Sequence, residues 1–346
     1  MNVGLERVPQ CMICGTEGPW LHRDLRDPRY GVRGRYHFRR CPRCSLVWLD
    51  PRPDPASIAL CYQKYYTHTA EPFGSCFPER RRFRHLRDSI RTAILCGHFG
   101  YRNGHSSHGM CRLGVLLASV KILRHRAVFD GLAERFPVFV KRPDNLLIDV
   151  GCGRGDFLAR MKSLGWNVLG IEPDPVSSSI TRARGIDVFN GTLNGARLAD
   201  NTADEIGVNH VIEHVHDPLS LLQECHRVLR PGGRLALYMP NIDSLGHRFF
   251  GRNWAGLDPP RHLFHFSPRS IGELLRRSPF RRYRIRTAVK ISPGMYDTSL
   301  AIREGGLNGC EEARRRRGRR IFKTLEALLC AAGIPAGEEI EVVAFR

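Results

Sequence analysis

Three things are scarce in this 346-residue chain: lysine, long apolar runs, and any opening stretch of positive charge followed by an apolar core. Lysine occurs only at Lys64, Lys121, Lys141, Lys162, Lys290 and Lys323, so the 54 basic residues are nearly all arginine. That bias fits a GC-rich coding sequence as readily as a need for guanidinium chemistry, and by itself it carries little weight. The most apolar stretch, around Leu113 to Leu123, is about eleven residues against the roughly twenty that span a bilayer, so no membrane-crossing helix is expected. With no secretory leader, the twelve cysteines point to a reducing cytosol, and thus to metal ligation or packing rather than disulfide staples. A cytoplasmic location is the expectation. The 42% hydrophobic content is ample for a core, in a chain long enough for one large domain or two smaller ones.

Formal net charge is +20, and it is unevenly placed. Residues 143–240 carry nine Arg or Lys against twelve Asp or Glu, whereas residues 79–142 carry fourteen against four. A second basic run, Arg314-Arg315-Arg316-Arg317-Gly318-Arg319-Arg320, leads into the amphipathic Ile321, Phe322, Leu325, Leu328 and Leu329. Acidic partners would meet these flanks. A solvated helix face is the plain reading of each; peripheral contact with an anionic membrane, at the inner surface, or with a phosphorylated substrate is the sharper one.

Near the N-terminus, Cys11-Met12-Ile13-Cys14 and Cys41-Pro42-Arg43-Cys44 form two C-x-x-C pairs. Each supplies two thiolates from one tight turn, and four thiolates close a tetrahedral zinc site. With no open coordination position the Zn²⁺ is expected to be structural, stapling a segment too small and polar to make its own core. Beyond it, Leu46 to Leu49 reads as a strand, and Tyr62, Tyr65 and Tyr66 as linker aromatics that pack on the next domain.

From residue 143 the pattern becomes regular. Leu146 to Val150 is an apolar run carrying Asp149; Gly151, Gly153 and Gly155 follow at alternate positions, and then a helical pattern. This is a strand, a tight turn and a helix start, with backbone open to a ligand's close approach. Further strands are expected at 167–172, 186–189, 205–209 and 234–238, with helices near 176–183 and 218–229. Such alternation means a parallel sheet with helices on both faces, and ligands bind across its carboxyl ends. Glu172 closes the second strand, where a carboxylate can accept hydrogen bonds from ribose hydroxyls of a nicotinamide dinucleotide or of S-adenosylmethionine. The glycines read G-x-G-x-G rather than G-x-G-x-x-G, and the fourth strand leads into His210-Val211-Ile212-Glu213-His214; both favour the second cofactor.

Taken in order, IDVGCGRGDFL, VLGIEPD, the Gly191–Leu193 turn, HVIEHVHDP, LRPGGRL and PPRHLFHFSP at 259–268, with the two cysteine knuckles, resemble the class I S-adenosylmethionine-dependent methyltransferases of the branch that carries an N-terminal zinc-binding segment. The resemblance implies an α/β, Rossmann-like, doubly wound, mostly parallel seven-stranded sheet with a small N-terminal zinc ribbon and helical insertions. It implies a zinc-ribbon-like segment at 1–55, a basic helical linker or cap at 56–142, and a methyltransferase domain at 143–346, with a substrate lid at about 241–266 and a basic helical insert at about 290–335. Asp149, Gly151 and Gly153 would line the methionine moiety, Glu172 would bind the ribose, Leu193 would lie near the adenine, and Asn209 with His210 would flank the sulfonium. The extra acid and Gly207 of strand four depart from the family pattern and predict a weak strand.

Methyl transfer to a hydroxyl needs alignment and a base, for which histidine suits. His262 is the first candidate, then His214 and His210; for each, structural hydrogen bonding is the plainer role. His210, Glu213 and His214 together are a candidate divalent-metal set. In the lid, Trp254 and Arg261 suit stacking on and pairing with a sugar or phosphate. The expected acceptor is a small molecule, a sugar or a lipid- or nucleotide-linked glycan intermediate methylated on oxygen or carbon. Two other readings stay open: an RNA methyltransferase using the zinc ribbon and basic flanks, disfavoured because no N- or D-P-P-aromatic run follows strand four, and a catalytically weak cofactor-binding scaffold.

Overall fold

The computed structural model describes residues 3–63, 84–101, 142–305 and 312–346, with scattered positions between 112 and 140. Tyr65, Tyr66 and most of the basic stretch 79–142 lie outside the described residues; within that stretch Arg84–Phe99 is a helix, α1. The N-terminal strands are β1 (Leu5–Glu6), β2 (Trp20–Leu25), β3 (Tyr36–Arg40), β4 (Val47–Leu49) and β5 (Arg52–Pro53). The expected alternation follows as β6 (Leu146–Val150), α2 (Asp156–Ser163), β7 (Asn167–Glu172), α3 (Pro175–Ala183), β8 (Val188–Asn190), β9 (Ala203–Asn209), α4 (Pro218–Val228) and β10 (Leu229–Pro240). The chain then forms α5 (Leu245–Phe250), β11 (Phe264–His265), α6 (Pro268–Arg277), β12 (Arg282–Ala288), α7 (Ser292–Arg303), α8 (Glu312–Ala331) and β13 (Glu339–Phe345). No helix among the described residues is long and apolar enough to cross a membrane.

Strand order in the seven-stranded sheet is β12-β13-β10-β9-β6-β7-β8. β6, β7 and β8 run parallel, and β13 lies antiparallel to both β10 and β12. This is the Rossmann-like, doubly wound sheet that the resemblance implied. Leu147 and Ile148 of β6 are fully buried on opposite faces, as a strand covered on both sides requires. Three helices begin on a cap followed by proline at the first helical position: Asp174 accepts from Ser177 N, Asp217 from Ser220 N, and Ser267 forms a capping box with Ser270.

Two elements differ from expectation. The Pro231-Gly232-Gly233 turn belongs to the start of β10, where Gly232 takes a φ of +80° and its N–H reaches Arg346 O at 3.0 Å, so the chain end pairs with it. And β9 forms in full despite its acids. The Asp204 carboxylate accepts from Leu146 N at 3.0 Å and pairs with Arg142, which turns the extra acid into an anchor.

The described chain divides into two compact units. One comprises Thr67–Ala196 and Thr202–Gly207; its core joins Leu147, Leu158, Met161, Trp166 and Ile186 to Leu95 and Tyr101, whose hydroxyl accepts from Trp166 Nε1 at 3.1 Å. The other comprises Met1–Tyr66, Arg197–Asn201 and Val208–Arg346. It contains a four-stranded sheet, β11-β4-β3-β2, in which Phe264 pairs with Trp48 and His265 with Val47.

Candidate functional site

The glycine turn of the first unit shows why that spacing is needed. Gly151, Gly153 and Gly155 have φ of +69°, +54° and +74°, a region closed to most side chains. A Cβ on Gly155 would stand 2.8 Å from Thr181 Cγ2, while Thr181 Oγ1 donates to Gly153 O at 2.8 Å. Gly153 N–H donates to Glu172 Oε2 at 2.8 Å, and Asp174 N–H to Glu172 Oε1 at 2.9 Å. The carboxylate expected to bind the ribose is therefore nearly buried and aimed by the turn itself. Asp149, also nearly buried, is approached from β9 by Gly207, where a Cβ would come within 3.2 Å of Asp149 Oδ1. The glycine that looked like a weakness in strand four is what makes room for this acid. Leu193 is buried ahead of a short 3-10 turn, Asn194–Ala196.

In the second unit the four cysteines converge. Cys11 Sγ lies 3.9 Å from Cys14 Sγ and 3.5 Å from Cys44 Sγ, and Cys14 Sγ lies 3.5 Å from Cys41 Sγ. Four sulfurs on one zinc at about 2.3 Å stand roughly 3.8 Å apart, so the donor set fits the ion. Cys44 N–H points at Cys41 Sγ at 3.5 Å. The hydrogen shared with Cys44 Sγ lowers the Cys11 thiol below its ordinary value.

The histidines of this unit separate into different roles. His210, in left-handed backbone at φ +53°, lies 2.9 Å by Nε2 from Glu339 Oε1 and 3.3 Å by Nδ1 from Glu213 Oε1. Burial would lower its pKa, but the two carboxylates raise it to about 9, leaving a cation with no lone pair to act as a base. His262 is the opposite. Its Nδ1 sits 2.7 Å from Gly256 O, which can only accept, so Nδ1 carries the proton and Nε2 the lone pair; burial, then the neighbouring His214, lowers it to about 4. His214 places Nδ1 3.0 Å from Arg261 O and 2.8 Å from Tyr62 Oη. Its ring and that of His262 meet edge to face at 4.6 Å.

The predicted metal set is thus corrected. Ligand atoms of Glu213, His214 and His262 lie within 4.8 Å of one another, while His210 is drawn aside to Glu339. Asn209, beside it at the end of β9, has its side-chain oxygen buried. The reading of Trp254 and Arg261 as acceptor contacts is also corrected. Arg261 is fully buried, with forked pairs to Asp27 at 2.8 and 2.9 Å and to Asp258 at 2.9 and 2.7 Å, and its guanidinium lies over Tyr30. Trp254 is buried and donates from Nε1 to Glu338 Oε2 at 2.8 Å. Both hold the fold. Tyr62, expected only to pack, reaches His214; no local sequence signal marks it, because the contact joins residues 152 positions apart.

Residues 121–282, slightly under half the chain, match the family model described as a methyltransferase domain. Among curated proteins, a probable S-adenosylmethionine-dependent methyltransferase of Mycolicibacterium smegmatis is 27% identical over 53% of this chain and 66% of that one. A ubiquinone biosynthesis O-methyltransferase of Cereibacter sphaeroides is 26% identical over 47% and 70%. An uncharacterized 37.1 kDa protein of a Streptomyces fradiae transposon is 36% identical over 30% and 32%. The chain thus spans from about a third to about two thirds of the length of these relatives. Among solved structures, an S-adenosylmethionine-dependent methyltransferase of Archaeoglobus fulgidus aligns with TM-score 0.41 and 19% identity, over 67% of this chain and 93% of that one.

Proposed function

We propose that this chain, whose residues 121–282 match a methyltransferase-domain model, is a class I, S-adenosylmethionine-dependent methyltransferase that transfers a methyl group from that cofactor to an oxygen or carbon of a small-molecule acceptor. The observation that carries the reading is the Glu172 carboxylate, nearly buried and held by Gly153 N–H beside three left-handed glycines. That is a site for a vicinal diol next to close-packed backbone, which a ribose provides. The acceptor class we favour is a sugar or a lipid- or nucleotide-linked glycan, supported by the resemblance to methyltransferases with an N-terminal zinc segment and by the basic flanks, which suit an acidic substrate or an anionic membrane surface.

The chemistry is a displacement in line with the departing sulfur, and the sulfonium loses its charge on the way. The chain's task is alignment, with Asp149, Gly151, Gly153 and Glu172 holding the cofactor. For a hydroxyl acceptor a proton must leave. His262 Nε2, neutral at physiological pH and oriented by Gly256 O, is the base of this reading, while cationic His210 is not. The four cysteines would hold a structural Zn²⁺ that closes the small sheet. Calorimetric titration tests the cofactor assignment: S-adenosylmethionine binds wild type, and Glu172→Ala loses at least about tenfold, the worth of one charge-assisted hydrogen bond. Equal affinity in the two proteins overturns it.

A further inference from the structure

We infer that Glu213, His214 and His262 form a second metal centre, distinct from the four cysteines, that takes a divalent first-row transition ion. Their ligand atoms already lie within 4.8 Å of one another, a spread that small side-chain rotations close to the roughly 2.0–2.2 Å bonds of a carboxylate and two imidazoles. Each imidazole is oriented as a metal ligand is. His262 Nδ1 faces Gly256 O at 2.7 Å, which can only accept, so its proton sits on Nδ1 and the Nε2 lone pair is left for the cluster, while His214 Nδ1 is held between Arg261 O at 3.0 Å and the Tyr62 hydroxyl at 2.8 Å, which fixes the ring. Glu213 is 1% exposed, and neither of its oxygens accepts a well-aimed hydrogen bond from a described residue; the cationic ring of His210 stands 3.3 Å from Oε1 and shares its charge with Glu339.

A buried carboxylate without a well-aimed hydrogen bond is costly, and a metal ion between it and two imidazoles would supply what the hydrogen bonds do not. Two nitrogens and one oxygen select a borderline ion such as Mn²⁺, Fe²⁺, Co²⁺ or Zn²⁺ over Mg²⁺, which prefers an all-oxygen shell. Three protein ligands leave coordination positions open, as a catalytic rather than a structural site does. With the ion in place the lone pair of His262 Nε2 is spent on it, and activation of an acceptor passes from the imidazole to the charge of the cation. The centre is argued from these residues alone and does not rest on the cofactor assignment.

Cobalt titration of the full chain, its cysteine site already filled with zinc, tests the inference. One equivalent of Co²⁺ should bind beyond the zinc, with visible ligand-field bands and without the intense near-ultraviolet absorption that thiolate ligands give. Glu213→Gln and His262→Ala should each weaken that equivalent at least about 100-fold while retaining zinc. His210→Gln should keep it. A folded wild type that takes up no cobalt beyond its zinc overturns the site, and so does a His262→Ala protein that binds it unchanged; if His262→Ala does not fold, the wild-type stoichiometry decides. Calorimetry with S-adenosylmethionine on the same samples reads the cofactor assignment separately.

Discussion

Gly207 and Gly155 show how much one absent side chain can decide. At Gly207 an alanine Cβ would stand 3.2 Å from Asp149 Oδ1, so Gly207→Ala should displace the acid and weaken cofactor binding several-fold in calorimetry, with little change in urea unfolding. At Gly155 the same change meets Thr181 at 2.8 Å and adds left-handed strain, and should cost on the order of 1–3 kcal/mol in urea unfolding. His247 offers a pH test. Burial first, then the charge of neighbouring His22, lowers it to about 4, and the two rings meet Nε2 to Nε2 at 3.0 Å. Because the unfolded chain takes up this proton near pH 6.5 and the folded chain only near 4, its contribution is complete above about 6.5 and is lost as pH falls through that window. The loss is on the order of 3 kcal/mol, and His247→Gln should flatten the acid limb of stability measured by urea melts between pH 7 and 4.

Among the elements, β11 has the widest consequence for its length. These two residues come more than two hundred positions after the cysteine knuckles, yet they close the small sheet at β4 and carry the chain straight on from His262. Trp48, fully buried in β4, donates to Val8 O at 2.7 Å. Stripping the metal with a strong chelator, or Cys11→Ser, should therefore loosen more than the N-terminal segment: tryptophan emission should shift red, the melting temperature should fall, and methyl transfer should drop with it. If the emission stays constant after the metal has left, the cysteines do not staple this sheet. The helices were more legible than the strands, because Asp-Pro and Ser-Pro caps mark α3, α4 and α6 locally, whereas the start of β10 depends on an Arg346 that no local pattern reveals.

For the whole molecule the relevant quantity is charge. Basic residues exceed acidic ones 54 to 34, yet residues 143–240, which hold most of the candidate site, carry twelve acids against nine bases. Polyanions should therefore bind the flanks without sequence preference and be displaced by salt: affinity for a generic RNA in filter binding should collapse between about 50 and 200 mM salt. The same RNA should not compete with S-adenosylmethionine. RNA that binds at high salt, or that excludes the cofactor, would restore the nucleic-acid reading set aside here.

By itself the sequence determined the parts of this protein that depend on spacing along the chain. Alternate glycines after Asp149, a carboxylate at the end of the next strand and paired C-x-x-C knuckles are short-range patterns, because one turn or one strand end builds each of them. What only the tertiary structure decided were the partnerships. Arg261 reads as a substrate contact until Asp27, from far up the chain, closes on it in the core. His210 reads as a base until Glu213 and, from the last strand, Glu339 together make it a cation. His262 joins Glu213 and His214 only through the fold. The charge and protonation of a buried group are set by the neighbours that folding brings, and those neighbours lie tens to hundreds of residues away.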